Sequence, residues 1–258
     1  MATASQVAEF RQANQDLTLL AQSQLRDFLS SFRLDGDPAR VRNALLQFFP
    51  ELVTSYGDVS ALLATDFYDM VRDVPPSAAS FRAAFAAPVD VAATEGAVRW
   101  AVGPLFDLDE PLFVSHILGA TQRLVSERGR GSIFESAAGD PIRTGVARVP
   151  QGLSTCRFCI MLASRGAVYR SEVSAELVVG RGSNRTGYDA NGKRLIGGIG
   201  GGVKARGTKP LAEQFHDNCD CTTVTIRSDR DWPEGHDLEA FRDLYKKGSG
   251  VGRDIPTD

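Results

Sequence analysis

Residues 149–169 read VPQGLSTCRFCIMLASRGAVY, and residues 215–226 read FHDNCDCTTVTI. Together they hold all four cysteines of the chain: Cys156, Cys159, Cys219 and Cys221. The pattern is C-x2-C followed, far along the chain, by H-x2-C-x-C, with His216 opening the second half-site. Random scatter would seldom leave four cysteines in two tight pairs. The start, MATASQVAEFRQANQ, has neither the basic head nor the apolar core of a secretory signal, so metal binding is expected ahead of a disulfide framework. Zinc takes a tetrahedral set of thiolates and imidazoles, and its structural sites use four protein ligands. A C-x-x-C turn offers two sulfurs at short loop cost, and a distant half-site closes the cage. Binding would then contribute directly to folding.

Five candidates compete for four places. His216 with three cysteines satisfies the ion. So do all four cysteines, with His216 donating a hydrogen bond to one of them. The rival readings are a redox-active C-x-x-C and plain buried thiols. A thioredoxin-like motif needs a preceding strand in a βαβ unit. Here the C-x-x-C opens a short predicted helix, Phe158 to Ser164, ended by Gly166. A strand is predicted over Ala167, Val168 and Tyr169, and another over 221–226, where polar and apolar residues alternate. A hydrolytic zinc keeps an open position and needs a nearby base. There is no H-E-x-x-H, and no deaminase-type H-x-E precedes the C-x-x-C. A cysteine-rich, carboxylate-poor set favours a structural zinc.

Upstream, the chain reads as helices. From Ser5 to Phe32, Val7, Phe10, Leu17, Ala21, Leu25, Phe28 and Phe32 recur at helical spacing, with Asn14 the polar break. Asp37 caps a second helix with Pro38 at its first position; it carries Val41, Ala44, Leu45, Phe48 and Phe49, and Pro50 ends or kinks it. A third covers Asp58 to Val71 with Val59, Leu62, Leu63, Phe67 and Met70 on one face. Residues 77–106 are Ala-rich and moderately helical. Asp107 to Arg128 forms another helix, with Leu112, Phe113, Ile117, Leu118 and Leu124 as buried candidates. His116, on that helix, has no evident partner for acid–base work.

The composition is that of a soluble globular protein: 43% hydrophobic and 24% charged among 258 residues. No run of 18 apolar residues exists, so no transmembrane helix is expected. A net charge of −3 argues against a surface that grips nucleic acid everywhere. The charge is uneven. Residues 1–150 have 13 arginines, no lysine and 18 acids; residues 151–258 have 16 basic residues and 14 acids. Residues 180–209, GRGSNRTGYDANGKRLIGGIGGGVKARGTK, hold ten glycines and seven basic residues: Arg181, Arg185, Lys193, Arg194, Lys204, Arg206 and Lys209. Such a segment can touch phosphates without reading bases. It lacks the G-K-[ST] ending of a nucleotide loop. Beyond Arg227 lie Trp232-Pro233, an amphipathic piece from Asp237 to Tyr245, a surface His236, and a tail expected to lack order of its own.

The half-sites and their strand resemble the C-terminal signature of the Mu F-like minor head proteins of tailed phages. The matching residues are Thr155, Cys156, Cys159, Leu162, Gly166, Val168, Tyr169, His216, Cys219, Cys221 and Thr222. The longer string from Ala147 to Tyr169 is similar to the form found in phages of actinobacteria. The resemblance covers about residues 140–227. Many members have His-Pro-x-Cys-Arg-Cys, where this chain has Asp217 and Asp220. It implies a minor capsid or head morphogenesis protein, made in the host cytoplasm and carried in the virion. Such proteins associate with the portal or major capsid protein, and with packaged DNA, here through the Gly/basic loop. The expected architecture is α+β: a helical portal- or capsid-facing domain (1–145), a small zinc-stapled α+β domain (146–227) and a tail (228–258). The expected role is non-catalytic. The alternatives are a head maturation protease or other cysteine enzyme, and a non-specific DNA-binding module.

Overall fold

The computed structural model describes residues 3–34, 36–72, 80–142, 144–150, 154–155, 157–164, 166–167, 186–188, 194–196, 219, 221–227, 232–233, 236–247 and 255–256. Four long helices come first. Helix α1 spans Ala4–Ser30. The Thr3 hydroxyl accepts from the Gln6 amide at 3.2 Å, and the Gln6 side chain accepts from the Thr3 amide at 2.8 Å. This reciprocal cap satisfies two donors the first turn would otherwise orphan. Val7, Leu17, Ala21, Leu25 and Leu29 form the buried stripe.

Helix α2 spans Pro38–Val71 without a break. Asp37 caps it, accepting from the Ala39 amide at 2.9 Å. The two helices expected on either side of Pro50 are therefore one. A proline inside an isolated helix costs about 3 kcal/mol. Here Phe49, Leu52 and Val53 around it are buried in the core, and that packing outweighs the lost hydrogen bond. The expected face of the second half holds only in part: Phe67 is buried and Leu63 half-buried, as expected. Val59, Leu62 and Met70 are exposed, while Gly57, Ser60, Ala61, Ala64, Thr65, Phe67 and Tyr68 are buried. Small residues face inward because α4 passes close by.

Residues 80–90 form no helix, and α3 follows at Val91–Ala101. A 3-10 turn at Gly103–Asp107 leads to α4, Glu110–Gly139. Helix α4 continues well past Arg128, through Gly129. A Cβ at Gly129 would lie 2.6 Å from the Ser60 carbonyl oxygen of α2, so only glycine permits this crossing. Leu112, expected inside, is exposed; Phe113, Ile117 and Leu124 are fully buried. His116 is half-buried and stacks on Trp100 at 4.0 Å.

The main core joins Leu25, Leu45, Phe49, Val98, Phe113 and Ile117. A second core, around Val7, Phe67, Tyr68 and Ile133, extends into Val146, Val149, Val224 and Ile226. Those last four belong to a two-stranded antiparallel sheet. Strand β1, Gly145–Val149, pairs with β5, Thr222–Ile226, from Gly145↔Ile226 to Val149↔Thr222. Every residue of both strands is buried, so both faces are covered. Strand β1 has no counterpart in the sequence expectation.

Two-residue β2 (Ser154–Thr155) precedes α5, Arg157–Ala163, which matches the expected short helix. Gly166 follows in the left-handed region, φ 71°. Ala167 is not in a strand, and Val168 and Tyr169 lie outside the described residues. Strands β3 (Thr186–Tyr188) and β4 (Arg194–Ile196) form a hairpin inside the Gly/basic segment. Helix α6, Leu238–Lys247, packs on α5, and its Arg242 donates to the Ser164 carbonyl at 3.2 Å. His236, expected on the surface, is stacked between Trp232 (4.7 Å) and Phe241 (5.0 Å). Burial pushes its imidazole down to about 4. The expected disordered tail contains β6, Ile255–Pro256, which pairs antiparallel with β2. The fold is mainly helical with a small sheet, in keeping with an α+β class. No described helix is long and apolar enough to cross a membrane.

Candidate metal centre

Three of the five expected ligands meet. Cys159 comes from α5, Cys219 and Cys221 from the segment entering β5. Their ligand atoms all lie within 4.8 Å of one another, and the Cys159 and Cys219 sulfurs are 3.5 Å apart. All three residues are buried, at 1%, 3% and 5% exposure. Around a tetrahedral zinc with sulfurs at about 2.3 Å, ligand sulfurs stand about 3.8 Å apart. The observed spacing brackets that value, so the trio fits three corners of such a site. Cys156 and His216 lie outside the described residues, as do Arg181, Arg185, Lys193, Lys204, Arg206 and Lys209. Arg194 is placed only as the first residue of β4.

The cysteines act on one another electrostatically. A hydrogen bond with Cys159 draws the Cys219 thiol well below its ordinary value, and Cys221 and Arg130 act in the same direction. At Cys221 the hydrogen bond with Cys159 favours the thiolate, but the neighbouring Cys219 and burial outweigh it and push the thiol up. The cysteines titrate together rather than one by one. A thiophilic cation would displace the remaining protons.

Two arginines flank the trio. Arg148, on β1 opposite Thr223, is only 1% exposed. Its burial penalises the cation, and the leading favourable charges around it are Cys159, Cys221 and Cys219. Arg130, on α4, donates from Nη2 to the Cys219 carbonyl at 2.9 Å. A cavity of about 460 Å3 between α1, α4 and β5 is lined by Gln15, Thr18, Gln22, Ser126, Cys219 and Cys221 among others. It reaches the cluster at Cys219 and Cys221.

A separate clasp fixes the sheet to the helices. Asp140, which ends α4, accepts from the Tyr68 hydroxyl (2.9 Å), Arg72 Nε (2.8 Å), Arg72 Nη2 (2.9 Å) and the Ile142 amide (2.9 Å). Arg227, just past β5, reaches it at 3.8 Å. Burial pushes the Asp140 carboxyl up, but Arg72, the Ile142 amide and Tyr68 together hold it down at about 2. Burial also raises the Tyr68 hydroxyl, to about 12, with Asp140 adding to the effect. Sequence reading missed these residues. Arg148 has one visible signal, a lone charge inside the apolar run 145–149 beside the C-x-x-C. Asp140 has none.

Fold and site together define a helical-body protein with a buried cluster of three cysteines that could hold a metal ion. The chain belongs to the VG15 protein family, whose profile matches residues 1–248. It is similar to the Gene 15 protein of Mycobacterium phage D29, 33% identical over 199 residues that cover 73% of this chain and 68% of that protein. It is similar also to the Gene 15 protein of Mycobacterium phage L5, 30% identical over 242 residues, or 82% and 74% of the two chains. These relatives mark it as a phage protein of the actinobacteriophage type. No solved structure matches it.

Proposed function

We propose that this protein is a non-catalytic minor component of the phage head, of the Mu F-like kind, with a structural zinc. The observation that carries the reading is the convergence of Cys159 and Cys219. These residues are 60 positions apart, yet they meet in one buried cluster, which supports the ligand set expected from the half-sites. Cys159, Cys219 and Cys221 would hold the ion, with Cys156 or His216 completing the set. The ion supplies bonds that join α5 to the start of β5, and no step of a reaction runs through it. Closed thiolate sites of this make-up leave no open position for water, which argues against hydrolysis and against a free cysteine nucleophile.

The helical body, residues 1–145, supplies the surface for the portal or major capsid protein, and the small domain with its tail completes the molecule. The segment 180–209 contacts packaged DNA through phosphates alone. The test is to purify particles of the phage that encodes this chain and quantify it by mass spectrometry. A few copies per particle, with about one zinc per purified chain, is the expected result. Absence from particles would overturn the virion role; a metal-free chain with a rapidly alkylated Cys159 would restore the cysteine-enzyme alternative. Salt-independent binding to DNA, unaffected by deleting 181–209, would remove the DNA contact.

A further inference from the structure

The cavity between α1, α4 and β5 gathers polar groups that the fold leaves unmet. A buried hydroxyl needs a hydrogen-bond partner. Elsewhere in the helices such groups bond locally: Thr65, Thr121, Ser132 and Ser136 donate back to carbonyls of the preceding turn. The residues around the cavity differ. Thr223, on β5, is 2% exposed, and its Oγ1 has no partner among the described residues. Thr225, on the same face of that strand, is in the same state. Thr18 on α1 and Ser126 on α4 are each 8% exposed and make no hydrogen bond to a described residue. Gln15, about one turn before Thr18, adds a half-buried carboxamide that is equally unbonded. Gln15, Thr18, Ser126 and Thr223 come from three separate elements, and all line the one space of about 460 Å3. That volume is in the range of small-molecule sites.

The charge of the wall sets the sign of the ligand. Arg11 and Arg130 line the cavity, and among the described residues no carboxylate does. Hydroxyl, carboxamide and guanidinium groups all donate hydrogen bonds, and an oxyanion accepts such bonds more strongly than a neutral oxygen. Phe10 and Ile133 add an apolar side for a carbon skeleton. We propose that this cavity is a binding site for a small organic oxyanion, a phosphate ester or a carboxylate. Gln15, Thr18, Ser126 and Thr223 would hold it, in the positive field of Arg11 and Arg130. None of these groups is a thiol, so the site stands apart from the metal reading.

The test is calorimetric titration of the full-length chain, as purified, with inorganic phosphate and separately with citrate. Saturable binding is expected, and the tighter of the two anions tells a phosphate ligand from a carboxylate. Thr223→Val removes the hydroxyl and keeps the shape. It should weaken binding roughly 10-fold, the effect of losing one hydrogen bond to a charged group. It should not lower the melting temperature of the ligand-free chain, because the hydroxyl has no bond to lose. Ser126→Ala, on a different element, should behave in the same way, and it carries the test if Thr223→Val fails to fold beside Cys221. No saturable binding of either anion would overturn the site. So would unchanged affinity in the variants, which would put the anion elsewhere, on a metal for instance. A lower melting temperature in both ligand-free variants would also overturn it, since the hydroxyls would then already hold a structural bond.

Discussion

The helical body and the small sheet region are held together by different means. In the body, four helices bury a continuous apolar core from Leu25 to Phe113 and Ile117. Hydrophobic burial at about 25 cal/mol per Å2 is enough for such an element. The sheet region has two five-residue strands and a seven-residue helix. A two-stranded sheet is marginal by itself. It borrows apolar surface from the ends of α1, α2 and α4, adds the Asp140 clasp, and brings three cysteines into contact. Where apolar area is scarce, directional polar bonds take its place.

The strongest way to break that contrast is Cys219→Ser. Structural zinc contributes on the order of 10 kcal/mol in small domains. The variant should lose its metal and the thermal transition of the sheet region, while the far-ultraviolet helical signal of α1–α4 persists to its original temperature. A single transition that shifts as a whole would mean that the shared core makes the two regions one cooperative unit.

Next in size is Asp140→Asn. It removes the carboxylate from buried Arg72 and should destabilise the protein by about 3–5 kcal/mol in denaturant titrations, the range for a broken buried pair. The same group sets an acid limit. Its folded value of about 2 lies below the ordinary 3.8. Its contribution is therefore complete above that ordinary value and is lost as pH falls toward 2. A flat stability curve between pH 4 and 2 would remove the clasp from the account.

Gly129→Ala sharpens the comparison from the body's side. The added methyl would press on the Ser60 carbonyl, at a cost of roughly 1–3 kcal/mol. The loss should appear in the helical transition and leave metal content unchanged. The smallest effect concerns His236. Its folded value of about 4 lies below the ordinary 6.5, with burial outweighing the opposite pull of Asp237. The native state favours the neutral ring. Its contribution is complete above 6.5 and disappears as pH falls to 4. Tryptophan fluorescence should report loosening around Trp232 in that window, and His236→Phe should flatten the response.

Much of this was legible in the sequence, and the failures share a cause. The stripe of α1 and the cap at Asp37 follow from spacing and residue type alone. The cysteine spacing found the trio that the fold assembles. But reading bulky apolar residues as the buried face fails where helices cross closely. There Gly57, Ser60, Ala61 and Ala64 go inside and Val59, Leu62 and Met70 go out. The Pro50 break fails because packing on both sides outweighs local propensity. Strand β1 was not visible because a five-residue run buried on both faces has no alternation to detect, and Arg148 showed only as a lone charge within it. The arginine's partners are also distant in sequence. Cys156 and His216 stand outside the described residues, so only three of the five expected ligands are placed by the fold.

The order of the elements along the chain has a consequence for timing. Helices α1–α4 are complete by residue 139, whereas β5 is not made until residue 226. Local helical contacts form quickly, and pairings between distant segments form late. During synthesis the body can therefore fold while β1 still waits for its partner and Cys159 for Cys219. Until the ribosome has released that second half, the nascent protein presents a finished helical surface beside an open, thiol-bearing edge. The helical surface is therefore complete before the cysteine cluster closes, and any metal the cluster holds would be taken up last.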